Sequence, residues 1–228
     1  FTCFEESEKS DLKIANFADV QLCYSSAKNG EYVANLGNTA NAPLALRNHL
    51  SFCKENDVDV ILMNGDIVNN AIEKYYEYYT EIFESVYGTD ESKYPEVIWN
   101  MGNHEWWDIN EKHDSGSVAM FNRYANIGSD TLVKRSAVKY QYDGVSPLPT
   151  YYKVVEGVPF LVISGDNSPG SISTPLRIEI ESWLEEISEL DWVKNGGAIY
   201  VLYHYALNTS MTTGQGKGNG ADTIDSIF

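Results

Sequence analysis

Four apolar runs of strand length each end in polar residues of metal-ligand type. They are Ile14–Gln21 (IANFADVQ), Val58–Asp66 (VDVILMNGD), Val97–Glu105 (VIWNMGNHE) and Ala198–His204 (AIYVLYH). Val58–Met63 has the β-branched and apolar make-up of a strand buried on both faces, as in parallel sheets. Open α/β sheets place their sites in the crevice beyond the strands' carboxyl ends. The recurring pattern therefore predicts that Asp19, Gln21, Asp66, Asn103, His104 and His204 gather at one sheet edge.

The stretches between these runs fit that architecture. Leu12–Val20 reads as the first strand and Gly30–Ala42 as an Asn- and Gly-rich loop. Pro43–Asn56 carries Leu44, Leu46, Leu50 and Phe52 in an imperfect helical pattern. A strand at Val58–Met63, a Tyr- and Phe-faced helix at Ala71–Val86, a strand at Pro95–Met101 and a short helix at Ser117–Ile127 follow. Gly128–Thr150 reads as a surface excursion. Tyr151–Val155 and Val158–Ser164, joined by Glu156-Gly157, have the form of a hairpin. Thr174 is the expected N-cap of a helix reaching Leu190, with Pro175 at its first position. Ala198–Tyr203 is another strand, Thr209–Gly220 a Gly-rich loop, and Ala221–Phe228 the opening turns of a helix. The order β-α-β-α-β-α-β-β-α-β predicts an α/β fold with a central, largely parallel sheet and outer helices. No linker-like stretch interrupts it, so a single domain over residues 1–228 is expected.

A net charge of −17 and a pI near 4.5 exclude nucleic acid as a main partner and disfavour anionic lipid. An acidic site acts on anionic substrates only if cations supply local positive charge. Cys3, Cys23 and Cys53 show no C-x-x-C spacing and read as buried or idle thiols. No apolar run is long enough to span a membrane, and no signal peptide is visible. The first residue is Phe1, which leaves room for a removed leader. Sixteen tyrosines with few lysines fit an exported bacterial protein.

The polar endings divide the chemistry among them. Gly65 allows a sharp turn that points Asp66 into the crevice, where one carboxylate can bridge two metals. Asp19 and Gln21 stand two apart, which in an extended segment places both on one side; together they could hold one metal. Asn103 offers an amide oxygen. His104 can give a proton or hydrogen bond to a leaving oxygen, and Glu105 can orient its imidazole. His204 closes the fourth run. Trp106, Trp107, Asp108 and His113 belong to an aromatic, acidic insert at the pocket rim. His49, inside a helix, and His113, in the charged loop Glu111–Asp114, read as solvated side chains. Gly165-Asp166, followed by Asn167, Ser168 and Pro169, reads as a turn.

In order and type these motifs resemble the calcineurin-like metallophosphoesterase superfamily, whose pattern runs D-x-H, G-D, G-N-H-[DE], H and G-H-x-H. Here it takes the form Asp19-Val20-Gln21, Gly65-Asp66, Gly102-Asn103-His104-Glu105 and His204. The resemblance covers the chain from Leu12 to Phe228. It implies a four-layer α-β-β-α sandwich and two divalent metal ions, Mn, Fe or Zn. Asp19 would bind the first metal, Asp66 would bridge both, and Asn103 and His204 would bind the second. His104 would assist the leaving group. A hydroxide between the metals would attack a phosphomonoester or phosphodiester in line. The substrate would be a small phosphorylated molecule, a nucleotide or diester among them. Gln21 replaces the family's usual His, as in branches whose members are manganese-dependent, so Mn is expected over Zn. No G-H-x-H string is present, so the chain is expected to be truncated before the last strands. A non-catalytic binding module on a degenerate version of the fold is the alternative.

Overall fold

The computed structural model describes residues 12–22, 24–28, 31–34, 41–107, 115–125, 133–139, 147–165, 172–205 and 227. Its contacts divide the chain into two compact units: residues 13–125, and residues 126–228 together with 1–12.

The first unit runs β1 (Ile14–Phe17), β2 (Tyr24–Lys28), β3 (Glu31–Ala34), α1 (Ala42–Glu55), β4 (Val60–Asn64), α2 (Glu73–Tyr87), β5 (Glu96–Asn100) and α3 (Ser115–Tyr124). Its main sheet is parallel throughout, in the order β1-β4-β5. β4 is central, and Val60 to Met63 are all buried, as a strand covered on both faces requires. The strand Glu31–Ala34 pairs antiparallel with β2, so the loop expected over 30–42 begins instead with a strand.

Two helices supply much of this unit's remaining core. Along α1, Leu46, Leu50 and Cys53 are buried at helical spacing, while Leu44 and Phe52 face out. Along α2, Tyr75, Tyr76, Tyr79, Ile82 and Phe83 form the buried stripe. Tyr79 meets Trp99 of β5 edge-on at 4.7 Å, and Tyr76 stacks on Tyr124 of α3 at 5.0 Å. The tyrosines thus do the packing that aliphatic residues do elsewhere.

The second unit contains β6 (Val133–Arg135), β7 (Tyr151–Val155), β8 (Val158–Val162), α4 (Thr174–Ser188), α5 (Asp191–Lys194) and β9 (Tyr200–Leu202). The sheet order is β6-β7-β8-β9, antiparallel except for the β8–β9 pair. One largely parallel sheet is therefore replaced by a parallel sheet and a mostly antiparallel one. The β7–β8 hairpin turns through Glu156 and Gly157, with φ of 48° and 83°. Two positive φ values suit a two-residue hairpin loop whose twist matches its strands.

Ser173, not Thr174, caps α4: its hydroxyl accepts from the Leu176 N–H, and Thr174 is already helical. Pro175 then falls one position later than the sequence suggests. The helix buries Leu176, Ile180, Trp183 and Ile187. Its Glu186 accepts from Tyr152 at 3.0 Å and pairs with Lys134, while Glu179 accepts from Ser136. β9 is less buried than its composition suggests, with Tyr200 and Val201 each 37% exposed.

Candidate metal centre

Because β1, β4 and β5 are parallel neighbours, their C-terminal ends lie along one edge of the sheet. Asp19 and Gln21 follow β1, Asp66 follows β4, and Asn103 and His104 follow β5. The central place of β4 sets Asp66 between the other two groups. A carboxylate oxygen of Asp19 lies within 4.8 Å of one of Asp66.

The backbone here is not extended. Asp19, Gln21 and Asp66 have φ of 55°, 50° and 53°, in the left-handed region that costs L-residues on the order of 1 kcal/mol or more. Asp19 and Gln21 therefore reach the same place by a different route from the two-residue alternation of a strand. The loops after β1 and β4 hold these conformations by bonding to each other. Asp19 N–H donates to the Gly65 carbonyl at 3.1 Å, Gln21 N–H to Asp66 at 2.7 Å, Leu22 N–H to Ile67 at 2.9 Å, and Asn69 N–H back to Leu22 at 2.8 Å. Backbone strain at three candidate ligands is the kind that persists where surrounding structure enforces it.

Asp66 is 3% exposed. Its Oδ1 accepts the His104 backbone N–H at 2.9 Å. Gly102 lies so near that a Cβ there would fall 2.2 Å from Asp66 Oδ1 and 2.5 Å from Asp66 N. The Gly of the Gly-Asn-His-Glu string is thus needed for close approach rather than for an unusual φ.

Glu105 does not orient the imidazole. Its fully buried carboxylate accepts the backbone N–H groups of Asp66 (2.8 Å), Ile67 (2.6 Å), Val68 (3.1 Å) and Gly102 (2.8 Å). Burial pushes its pKa up to about 7, helped by the neighbouring Asp66 charge; the backbone donors pull the other way.

The His104 ring is held instead by Asn69, whose carbonyl lies 2.6 Å from Nδ1. A carbonyl only accepts, so Nδ1 carries a proton, while Nε2 lies 3.4 Å from the Gln21 amide nitrogen. Nε2 also stands 3.7 Å from Asp66 Oδ2, and Trp107 packs on the ring at 4.8 Å. Sequence reasoning missed Asn69, because nothing in the Asn69-Asn70 pair announces a carbonyl aimed at a histidine 35 residues away.

Trp106 is fully buried and belongs to the core, not the rim; Trp107 is half-buried beside His104. Asn103 is half-buried and precedes the 3-10 turn His104–Trp106. Asp19 and Gln21 line a cleft of about 450 Å³ whose other wall is the start of α1, including Ala45 and His49. His49 is exposed, as expected, but it stacks on Phe17 at 5.8 Å and faces this cleft. Asn16 and Asn41, not singled out in the sequence, add amides to it.

In the second unit His204 follows β9, half-buried, with Tyr205 edge-on at 5.3 Å. Gly165 is buried, with φ of 90°. His113, Asp108, Asp166 to Pro169, Cys3, Cys23 and the loop expected over 209–220 lie outside the described residues, as does all but Ile227 of the expected C-terminal helix. Cys53 is a buried thiol whose pKa is raised by burial.

Carboxylates and amides at the C-terminal edge of a parallel sheet, with a histidine beside them, make an α/β site able to hold divalent cations. The chain belongs to the calcineurin-like phosphoesterase family, whose model matches residues 12–227. The fold is also that of a dimetal phosphatase from Danio rerio: TM-score 0.54, 12% identity, 95% of this chain and 76% of the other covered. No curated protein matches the chain. Family membership places it among metal-dependent phosphoester hydrolases.

Proposed function

We propose that the chain hydrolyses phosphomonoesters or phosphodiesters with two divalent cations held at the C-terminal ends of β1, β4 and β5. The observation that carries this reading is the close approach of the Asp19 and Asp66 carboxylates from adjacent strand ends, both in left-handed backbone. Like charges at that distance repel, and a cation between them removes the cost.

The donor set fits such ions. Asp19, the Gln21 amide oxygen and Asp66 would hold one cation, and Asp66 and Asn103 the other. Bound cations would supply positive charge to the phosphoryl oxygens and lower the pKa of an attacking water. An oxygen-rich set with Gln21 in place of His favours Mn over Zn.

His104 is the proton-handling residue. Asn69 fixes its Nδ1 proton, which leaves Nε2 to exchange a proton or hydrogen bond with a leaving oxygen. The cleft beside Asp19 and Gln21 lies within the size range of small-molecule sites, so it has room for an organic group beside the phosphate.

The test is turnover of p-nitrophenyl phosphate and bis-p-nitrophenyl phosphate by metal-free protein titrated with Mn or Zn. Turnover should appear with Mn and exceed that with Zn. Asp66→Asn should lose more than the roughly 10–100-fold typical of residues one step removed from a metal. Unchanged turnover in that variant removes Asp66 as the bridging ligand. Gln21 in the family's His position favours a second reading, a binding module without catalysis. Tight Mn binding with no turnover of either ester would establish that reading.

A further inference from the structure

We propose that Glu105 is the positioning residue for Asp66, acting through the backbone and never as a ligand itself. The inference rests on the metal-centre reading only for its functional consequence. The Glu105 carboxylate is fully buried and takes four N–H groups, two on each oxygen: Ile67 and Val68 on Oε1, Asp66 and Gly102 on Oε2. A carboxylate has about four acceptor sites, so none is left for a cation.

The donors come from two of the three loops that carry the site, those after β4 and β5. Three are consecutive amides after β4, converging on one anion as backbone nests do. The fourth is Gly102, which sits against the Asp66 side chain. One carboxylate therefore ties the left-handed turn at Asp66 to the glycine that limits where its carboxylate can lie. The His104 N–H on Asp66 Oδ1 completes the constraint. Without Glu105, three neighbouring amides would be buried with no acceptor, and the turn would lose the anion that gathers them.

A glutamine at this position matches the volume but accepts at one atom and presents an NH₂ to the donors on the other side. In metal-free Glu105→Gln, hydrogen exchange at the amides of Asp66, Ile67, Val68 and Gly102 should quicken roughly tenfold to a hundredfold, the loss expected for hydrogen bonds to a charged group. Exchange at Ile61 and Leu62 in β4 should hold. Mn affinity, titrated where both proteins are folded, should fall by a similar factor. A residue that served only stability would lower the melting temperature and leave Mn affinity per folded molecule unchanged.

Glu105→Asp keeps the charge but withdraws it by one methylene, and should show the same pattern more weakly. Wild-type exchange at the four amides in Glu105→Gln overturns the proposal; should that variant not fold, wild-type exchange and Mn affinity in Glu105→Asp do so. If the unaltered protein binds no Mn, the proposed function fails, and the four amides alone decide the role of Glu105.

Discussion

Asp66 shows how tightly one side chain can be specified. Its backbone is left-handed, its amide is held by Glu105, and its carboxylate rests against a position that tolerates no side chain. Gly102→Ala must therefore displace Asp66. We expect a loss of about 1–3 kcal/mol, typical of overpacking, together with weakened Mn binding; a melting curve and a Mn titration matching the unaltered protein would refute this. Glu105 yields a pH prediction for the metal-free protein. Its folded pKa of about 7 exceeds the ordinary 4.5, so the folded state binds more protons between those values. Its contribution is then largest below pH 4.5 and falls as pH rises to about 7. Denaturant titrations across that range should show the decline relative to Glu105→Gln; parallel pH curves for the two proteins would contradict it. The identities of Asp66, Asn103 and His104 were legible because each stands at the end of an apolar run. The work of Glu105 was not, because three of its donors lie 37 to 39 residues upstream.

Among the elements, α1 links core and site: one face buries Leu46 and Leu50, and another lines the cleft with Ala45 and His49. Leu50→Ala should cost about 2–5 kcal/mol, as emptied core positions do. Leu44→Ala, at 58% exposure, should stay within about 0.5 kcal/mol. Urea unfolding of both variants checks the contrast, and equal costs would mean that the helix face is misassigned. Helical spacing made α1 readable to within a residue at each end. Periodicity could not foresee that Glu31–Ala34 pairs with β2, since a strand of four residues is too short to show alternation until its partner is known.

Across the molecule, charge dominates. A chain at −17 repels itself, and salt screens that repulsion. The melting temperature of the metal-free protein should rise between low salt and about 0.3 M NaCl. Mn at 100 times its Kd should add about 2.7 kcal/mol, reversed by a chelator. Indifference to NaCl would show that the charges are already balanced locally. Among the described residues no helix is long and apolar enough to cross a membrane.

The sequence by itself determined which polar residues end the apolar strands and where most helices and strands fall, because apolar periodicity and strand-end glycines are local signals. It also sufficed for the α/β class and the family resemblance. The tertiary structure decided how the parts divide and hold. It divided the strands between a parallel and a mostly antiparallel sheet, moved Trp106 from rim to core, and gave the imidazole to Asn69 rather than Glu105. These outcomes depend on hydrogen bonds between residues distant in sequence, and each donor's partner is known only once the strands have found their register.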